Sequence, residues 1–433
     1  MSVFFKPFFD PVLFAPMLGS ILMCVSSSLV GVLIFVKKRS LLGEALSHAA
    51  YPGVVLSVLL FSLFFPYSEE LLSITILIGA FISSLLGLYL INFIKKRWRI
   101  SDDMALTFTL ASFLGIGILG ASFLQQTKAL FFTQINLFLY GQVATMREGH
   151  VLLYAFLMIL VSVFLIGAYH SLLAIHFDEQ FSKSIGINVQ FFEMISFYLF
   201  VLAIIIGIRT VGVILMSGML IAPALAARQW TASLSKLFLI SALFGMISAY
   251  FGTMLSIISP KTLILPPGPM IILMASALVF FSLLFSPSRG LFLKYIRRKI
   301  FERETIRDDI LKFAWKNQGE FDSKKYKLFF PPSNLYLHYF LRKMEREGYL
   351  IFTKKKGYLL SPDGEKRALK IVRLHRLWEV YLFDYLGMKE ENVHTSACEM
   401  EHILTPRLES ELSQLLGDPR RDPHHQPIPR GDL

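Results

Sequence analysis

Nine runs of apolar residues, each near the length of about 20 that an α-helix needs to cross a bilayer, fill the first two-thirds of the chain and then stop. They fall at about 11–36, 45–65, 71–94, 104–124, 151–172, 191–208, 211–228, 235–258 and 269–287. Charge changes at the same place. Residues 1–287 hold 15 Lys/Arg and 10 Asp/Glu, whereas the shorter remainder holds 28 and 21 of the totals of 43 and 31. A water-soluble fold of 433 residues needs neither this apolar surface, with 40 Phe, nor such a division. The pattern predicts an all-α polytopic membrane domain of about nine transmembrane helices, followed by a charged soluble part.

A tenth run, 129–143, is short and interrupted by Gln134, Asn136 and Gln142, which suits a re-entrant segment better than a full crossing. The basic clusters Lys37-Lys38-Arg39 and Lys95-Lys96-Arg97 with Arg99 mark cytoplasmic ends. The loop with Glu69-Glu70 belongs outside. Carried through nine crossings, this places the amino terminus outside, and residues 174–190 and the carboxy-terminal third in the cytoplasm. The net charge of +12 is therefore no argument for nucleic-acid binding by itself, because cytoplasmic loops supply much of it. The two cysteines, Cys24 and Cys398, provide no disulfide framework, and residues 1–10 lack the charged stretch and cleavage site of a removable signal peptide.

The soluble part opens with the basic run Lys294–Lys299. Its pattern predicts helix 302–317, a short helix near 323–330, a turn at Pro331-Pro332 and helix 333–347. Strands 349–354 and 357–361 follow, then helices at about 363–386 and 395–416, with the last fifteen residues loose. The boundaries expected are a membrane domain at 1–288, a basic linker at 289–302, a winged helix-turn-helix at 303–362 and a helical part at 363–429.

Two sets of side chains bring chemistry with them. In the membrane half, Glu44 and His48 stand four residues apart and so share a helix face. Ionisable groups inside a bilayer are costly, and they face a cavity, a partner or a substrate path. A carboxylate with an imidazole suits Mn, Fe or Zn ions, although a Glu at a helix start and a hydrogen-bonded His would read the same. In the soluble half, Cys398, Glu401 and His402 occupy positions i, i+3 and i+4 of one helix. His375 and Glu379 repeat an i, i+4 pair, and His394 lies between the two sets. So many donor side chains within 28 positions point to a metal centre rather than to solvated surface.

The stretch Ser40–Gly53 (SLLGEALSHAAYPG) resembles the signature of permeases of metal-ion ABC importers. Val211–Arg228 (VGVILMSGMLIAPALAAR) and Ser101-Asp102-Asp103 ahead of Leu114-Gly115-Ile116-Gly117 resemble it too. The resemblance implies that Glu44 and His48 line the metal path, Glu44 standing where members often carry Asp. It also implies that Phe177–Ile187, with Asp178, Glu179 and Gly186, is the helix that couples to an ATPase subunit. No P-loop sequence occurs in the chain, so no nucleotide is expected on it and the ATPase is a separate polypeptide. A periplasmic metal-binding protein and a second permease subunit complete the expected assembly in the inner membrane.

The stretches His375–Leu382, Val393–His402 and Pro427-Ile428-Pro429 resemble the diphtheria-toxin-repressor family of metal-dependent repressors over about 303–429. That resemblance implies a primary site of Asp309, Cys398, Glu401 and His402 and an ancillary site of His375, Glu379 and His394. At Asp309, iron-type members carry Met and manganese-type members Asp, so this chain mixes the two kinds. The thiolate of Cys398 favours Fe(II) over Mn(II) as corepressor. The small β-barrel that many members append is not in this sequence. The aligned recognition helix Ser333–Glu347 would present Ser333, Asn334, Leu335 and Tyr339 to base edges of operator DNA, and Lys354, Lys355 and Lys356 suit phosphate contacts. The whole order resembles permease–repressor fusions, with a dimerising tail and release by proteolysis near Arg289–Arg307. Two alternatives are a tail that senses metal and regulates transport without touching DNA, and a permease that carries a metal chelate.

Overall fold

The structure, a computed structural model, describes residues 10–39, 41–64, 69–127, 131–132, 135, 138–139, 141, 143–259, 265–322, 326, 334–354, 357–402 and 406–430. The chain divides into two compact units, Met1–Leu293 and Lys294–Leu433.

The first unit contains the long helices α1 (Pro11–Val36), α2 (Leu41–Phe64), α3 (Glu69–Trp98), α4 (Asp102–Thr127) and α5 (Glu148–Phe177). After the short α6 (Glu179–Ser184) come α7 (Val189–Val211), α8 (Val213–Trp230), α9 (Leu234–Ile258) and α10 (Pro267–Phe285). Among the described residues, α1–α5, α7, α9 and α10 are long and apolar enough to span a membrane. The ninth expected run is α8, 18 residues long and closing with Arg228. The interrupted run 129–143 lies largely outside the described residues. Of it, Ile135 and Phe138 are buried.

Lipid offers no hydrophobic drive to bring apolar helices together, so close backbone approach and interhelical hydrogen bonds do that work. Helix α1 packs against α5, α7, α8 and α9 and carries the buried hydroxyls Ser20, Ser26, Ser27 and Ser28. Ser241 of α9 donates to the carbonyl of Ser28 at 3.2 Å, and Ser20 faces Thr253 at 3.1 Å. Ser83 of α3 donates to the carbonyl of Ala49 in α2 at 2.6 Å. Gly31 lets α1 meet the backbone of α8, since a Cβ there would overlap the carbonyl oxygen of Leu220. Helices α7 and α8 are separated by Gly212 alone, at φ 93°, a left-handed conformation that favours glycine.

The second unit begins within α11 (Leu291–Lys316), so most of the stretch expected as a linker, 289–302, is helix. Next come β1 (Glu320–Phe321), α12 (Asn334–Arg346), β2 (Leu350–Thr353) and β3 (Gly357–Leu360), the strands forming an antiparallel sheet in the order β1-β3-β2. Leu337, Phe340, Leu341 and Met344 line one face of α12 and pack with Ile310, Leu311 and Ala314 of α11 and with Leu350. Among the described residues this gives the second helix and the β-hairpin wing of the expected winged helix-turn-helix. Strand β1 was not expected from the sequence, being two residues long. The short helix near 323–330 and the turn at Pro331-Pro332 fall almost entirely outside the described residues.

Helices α13 (Pro362–Asp384), α14 (Glu390–Met400) and α15 (Pro406–Leu415) finish the unit. The single helix expected at 395–416 is two, because Pro406 has no amide hydrogen and starts a new helix rather than continuing the old one. The expectation of a loose end also needs correction. Arg373 donates to the carbonyl of Pro429 at 2.7 Å, and Arg376 donates to Gln426 at 3.1 Å and to the carbonyl of Pro427. Asp422 and Ile428 are buried, so residues 419–430 are held in place.

Replacing Gly31 with Val should cost the membrane unit about 3 kcal/mol or more, since the clash is with backbone rather than with a side chain that can turn away. The check is thermal unfolding of the detergent-solubilised chain. A Gly31→Val protein as heat-stable as wild type would contradict the close α1–α8 approach.

Candidate metal centres

In the membrane unit, Glu44 sits in the first turn of α2 and lines a cavity of about 370 Å³ with Ser217, Gly218 and Ile221 of α8 and Ser276 and Phe280 of α10. His48 lies one turn further along α2, half-buried, its Nδ1 buried and without a hydrogen-bond partner among the described residues. Pro52 withdraws the helical donor from the carbonyl of His48, four residues earlier. The helix thus places a carboxylate at an otherwise apolar cavity and an imidazole one turn further along.

Ion pairs tie the ends of the helices around this point. Asp102, at the start of α4, meets Lys95 at 2.5 Å and Arg39 at 3.4 Å, and Lys37 meets Glu193 of α7 at 2.7 Å. Asp178 caps α6, its carboxylate accepting from the amides of Gln180 and Phe181 at 2.8 and 3.0 Å. Glu179 pairs with Lys183, and Gly186 ends the element at φ 86°. Phe177, Phe181 and Ile185 are exposed there.

In the second unit, eight side chains from three helices converge. Asp309 and Lys312 come from α11, His375 and Glu379 from α13, and His394 and Cys398 from α14, whose end is followed by Glu401 and His402. His402 Nε2 lies 3.4 Å from Asp309 Oδ1 and 3.7 Å from Glu401 Oε1, and its Nδ1 is buried with no hydrogen-bond partner among the described residues. His375 Nδ1 donates to Glu401 Oε2 at 2.6 Å, while its Nε2 faces Glu379 Oε1 at 3.0 Å and His394 Nδ1 at 2.9 Å. His394 Nδ1 reaches Glu379 Oε1 at 2.9 Å. Cys398 Sγ lies 3.9 Å from His375 Nδ1.

The expected ancillary residues His375, Glu379 and His394 therefore meet at three mutual contacts. Of the expected primary set, Asp309, Glu401 and His402 offer donor atoms within 4.8 Å of one another, whereas Cys398 groups with His375 and His394. Carboxylate, imidazole and thiolate donors brought this close fit a divalent transition ion. Asp308 was not singled out from the sequence. It takes Arg367 of α13 at 3.0 and 3.3 Å and fastens α11 to the helix that carries His375.

The cluster shifts its own proton equilibria. Burial pulls His375 down, but hydrogen bonding to Cys398, Glu379 and Glu401 outweighs it and raises the imidazole to about 10. Burial pushes Glu379 up, and His375 and His394 overcome that to hold it at about 2. Burial likewise opposes the lowering of Glu401 by His375 and Lys312. His402 is raised, burial being outweighed by Asp309.

Of the residues expected at a DNA surface, Tyr339 and Lys354 are exposed, on α12 and after β2. Asn334 and Leu335 begin α12. Ser333, Lys355 and Lys356 lie outside the described residues.

A bundle of membrane helices with a carboxylate at an open cavity, followed by a winged helix with a cluster of metal-donor side chains, defines a permease fused to a ligand-sensing regulatory domain. The chain belongs to the ABC 3 transport family, whose model matches residues 10–286. Residues 361–430 match a second model, the iron dependent repressor, metal binding and dimerisation domain. A probable metal transport system membrane protein of Chlamydia trachomatis is 34% identical over 440 aligned positions, covering 98% of this chain and 97% of that one. The zinc transport system membrane protein TroC of Treponema pallidum is 34% identical, covering 69% of this chain and 97% of its own. PsaBC from Streptococcus pneumoniae in complex with Fab has a chain matching at TM-score 0.57 and 26% identity, over 68% of this chain and 98% of that chain.

The raised value of His375 gives a pH test. A protonated His375 stabilises the metal-free tail fully below its unfolded value of 6.5, and this support is lost as pH rises through about 10. Between those limits the metal-free tail should unfold at steadily lower denaturant concentration, followed by the fluorescence of Trp315 and Trp378. His375→Gln should flatten that slope. An unchanged slope in the variant would mean that His375 is neutral in the folded tail.

Proposed function

We propose that the chain is the membrane permease of an ABC importer for divalent transition metal ions and that its tail is a metal-dependent transcriptional repressor. The observation that carries the first part is Glu44 lining a cavity between helices, with the buried Nδ1 of His48 one turn further along the same helix. Ions shed their water only where protein donors replace it, and a carboxylate at an apolar cavity with an imidazole one turn on offers such a step. A chelate would need neither group. The relatives named for manganese and zinc transport, from Bacillus subtilis and Treponema pallidum, support Mn and Zn as cargo beside Fe. In this reading Asp178 and Gly186 shape α6 to dock on a separate ATPase. A periplasmic binding protein delivers the ion, a second permease subunit completes the path, and the tail is cytoplasmic.

The donor set supports the second part. When a divalent ion is bound, it supplies a positive centre that carboxylates on different helices can share. Asp309, Cys398, Glu401 and His402 would hold it, with His375, Glu379 and His394 as a second set. Asp309 stands on α11, which packs against α12, and so ties the reading head to the dimerising helices. A shift from mostly open to mostly closed requires roughly 5 kcal/mol of differential binding, within reach of a site that loses Asp309 on opening. Cys398 favours Fe(II) over Mn(II) as the sensed ion. Proteolytic release between Arg289 and Arg307 belongs to the same proposal, since residues 291–301 are exposed almost throughout.

Glu44→Ala and His48→Ala should each reduce uptake of radiolabelled Mn and Fe to background while leaving membrane insertion intact. Wild-type rates in both would remove this site from the path. A reporter fused after the last residue should be active only as a cytoplasmic fusion, and activity outside would reveal a miscounted crossing. DNA binding by the full chain in detergent, titrated anaerobically with Fe(II) and Mn(II), should depend on metal and be weakened by Asp309→Ala or Cys398→Ala. Equal binding with and without metal would leave the tail a sensor of another kind.

A further inference from the structure

Among the metal-donor side chains of the tail stands one group that cannot ligate a metal while charged. The ammonium of Lys312, from α11, donates to both carboxylate oxygens of Glu401, at 2.6 and 2.9 Å. It also lies 3.1 Å from His375 Nδ1 and 3.9 Å from Cys398 Sγ. Lys312 and Glu401 are both buried, so this is not a surface ion pair exchanging freely with water. One turn earlier on the same helix, Asp309 is engaged with His402 instead. The arrangement therefore divides the donors: Asp309 and His402 face each other, Glu401, His375 and Cys398 lie around the lysine, and Glu379 and His394 meet at the far side of His375.

A divalent ion and an ammonium cannot share these oxygens. Placed about 3 Å apart in a poorly solvated pocket, they repel strongly, and each needs the same lone pairs of Glu401. We propose that Lys312 is a built-in competitor for the sensor's metal: its ammonium occupies the donor cluster in the metal-free tail and must withdraw before an ion can be bound. Lys312 has the reach to do so, since its four-carbon stem carries a compact, strongly hydrated head that gains solvation on leaving. Its presence lowers metal affinity by the fraction of time it spends outside the cluster, and so sets the metal concentration to which the tail responds. The buried charge of Glu401 is meanwhile never left without a partner, in either state. This inference rests on the tail being a metal sensor, and the test separates the two.

The full-length chain in detergent is titrated with Mn(II) by equilibrium dialysis, comparing wild type, Lys312→Met and Glu401→Gln. The substitutions differ from wild type only in the tail, so differences between isotherms isolate that site from any in the membrane unit. Lys312→Met should bind Mn(II) about tenfold to a hundredfold more tightly, the gain expected when a blocked state populated to that degree is removed. In wild type, acylation of Lys312 by an amine-reactive reagent, located by mass spectrometry, should rise several-fold on saturation with Mn(II). A folded Lys312→Met chain that binds no tighter than wild type overturns the proposal. If that variant does not fold, the labelling decides, and labelling of Lys312 that is unchanged or falls when Mn(II) is bound overturns it. Should Glu401→Gln leave the wild-type isotherm unaltered, the tail does not hold Mn(II) through this cluster, and the sensor reading fails along with the competitor.

Discussion

A peptide group in hydrocarbon has no water to bond to, and the first unit is organised by that fact. Every described span is a helix because only a helix satisfies its own backbone there. The helices then have to find one another without a hydrophobic drive, which explains the chemistry of α1. Its buried serines and the glycine facing Leu220 are what an aqueous core would fill with larger side chains. With contacts already committed to small residues and hydroxyls, a charged group such as Glu44 stands out as one the packing does not require.

The tail solves a different problem. In water a charged cluster can be assembled if each charge finds a partner on another element, and the second unit does this across α11, α13 and α14. Asp308 with Arg367 fixes α11 to α13, and Glu379 with two imidazoles fixes α13 to α14. Of these carboxylates, Glu379 belongs to the proposed second metal set, whereas Asp308 only holds the helices together. At Glu379 the contacts that hold α13 to α14 and the proposed binding of metal would draw on the same lone pairs.

Much of this was legible in the sequence because it is local. Runs of apolar residues announce helices, and Glu44 with His48 or Cys398 with His402 announce a shared face through spacing alone. What depended on partners distant in the chain was not legible. The order of residues 419–430 comes from Arg373 and Arg376, which reach them across 50 to 56 positions, so their proline- and charge-rich composition reads as loose. Strand β1 exists only because β3 offers it an edge. The regrouping of Cys398 with His375 depends on where α13 and α14 cross, and Lys312 has no motif at all, since a lysine in an amphipathic helix reads as solvated surface. Proline at 406 was the one missed signal that was local, and its meaning is purely steric.

The grip of Arg373 and Arg376 on the stretch from Gln426 to Pro429 also orders events in time. Helix α13 carries two of the metal-donor residues, yet it is completed on its far side by residues made some fifty positions later in synthesis. By then the membrane helices have long since emerged from the ribosome. A chain built in this sequence can take up its place in the bilayer before its sensor is able to fold, so the regulator matures only in molecules that have already had the chance to become transporters.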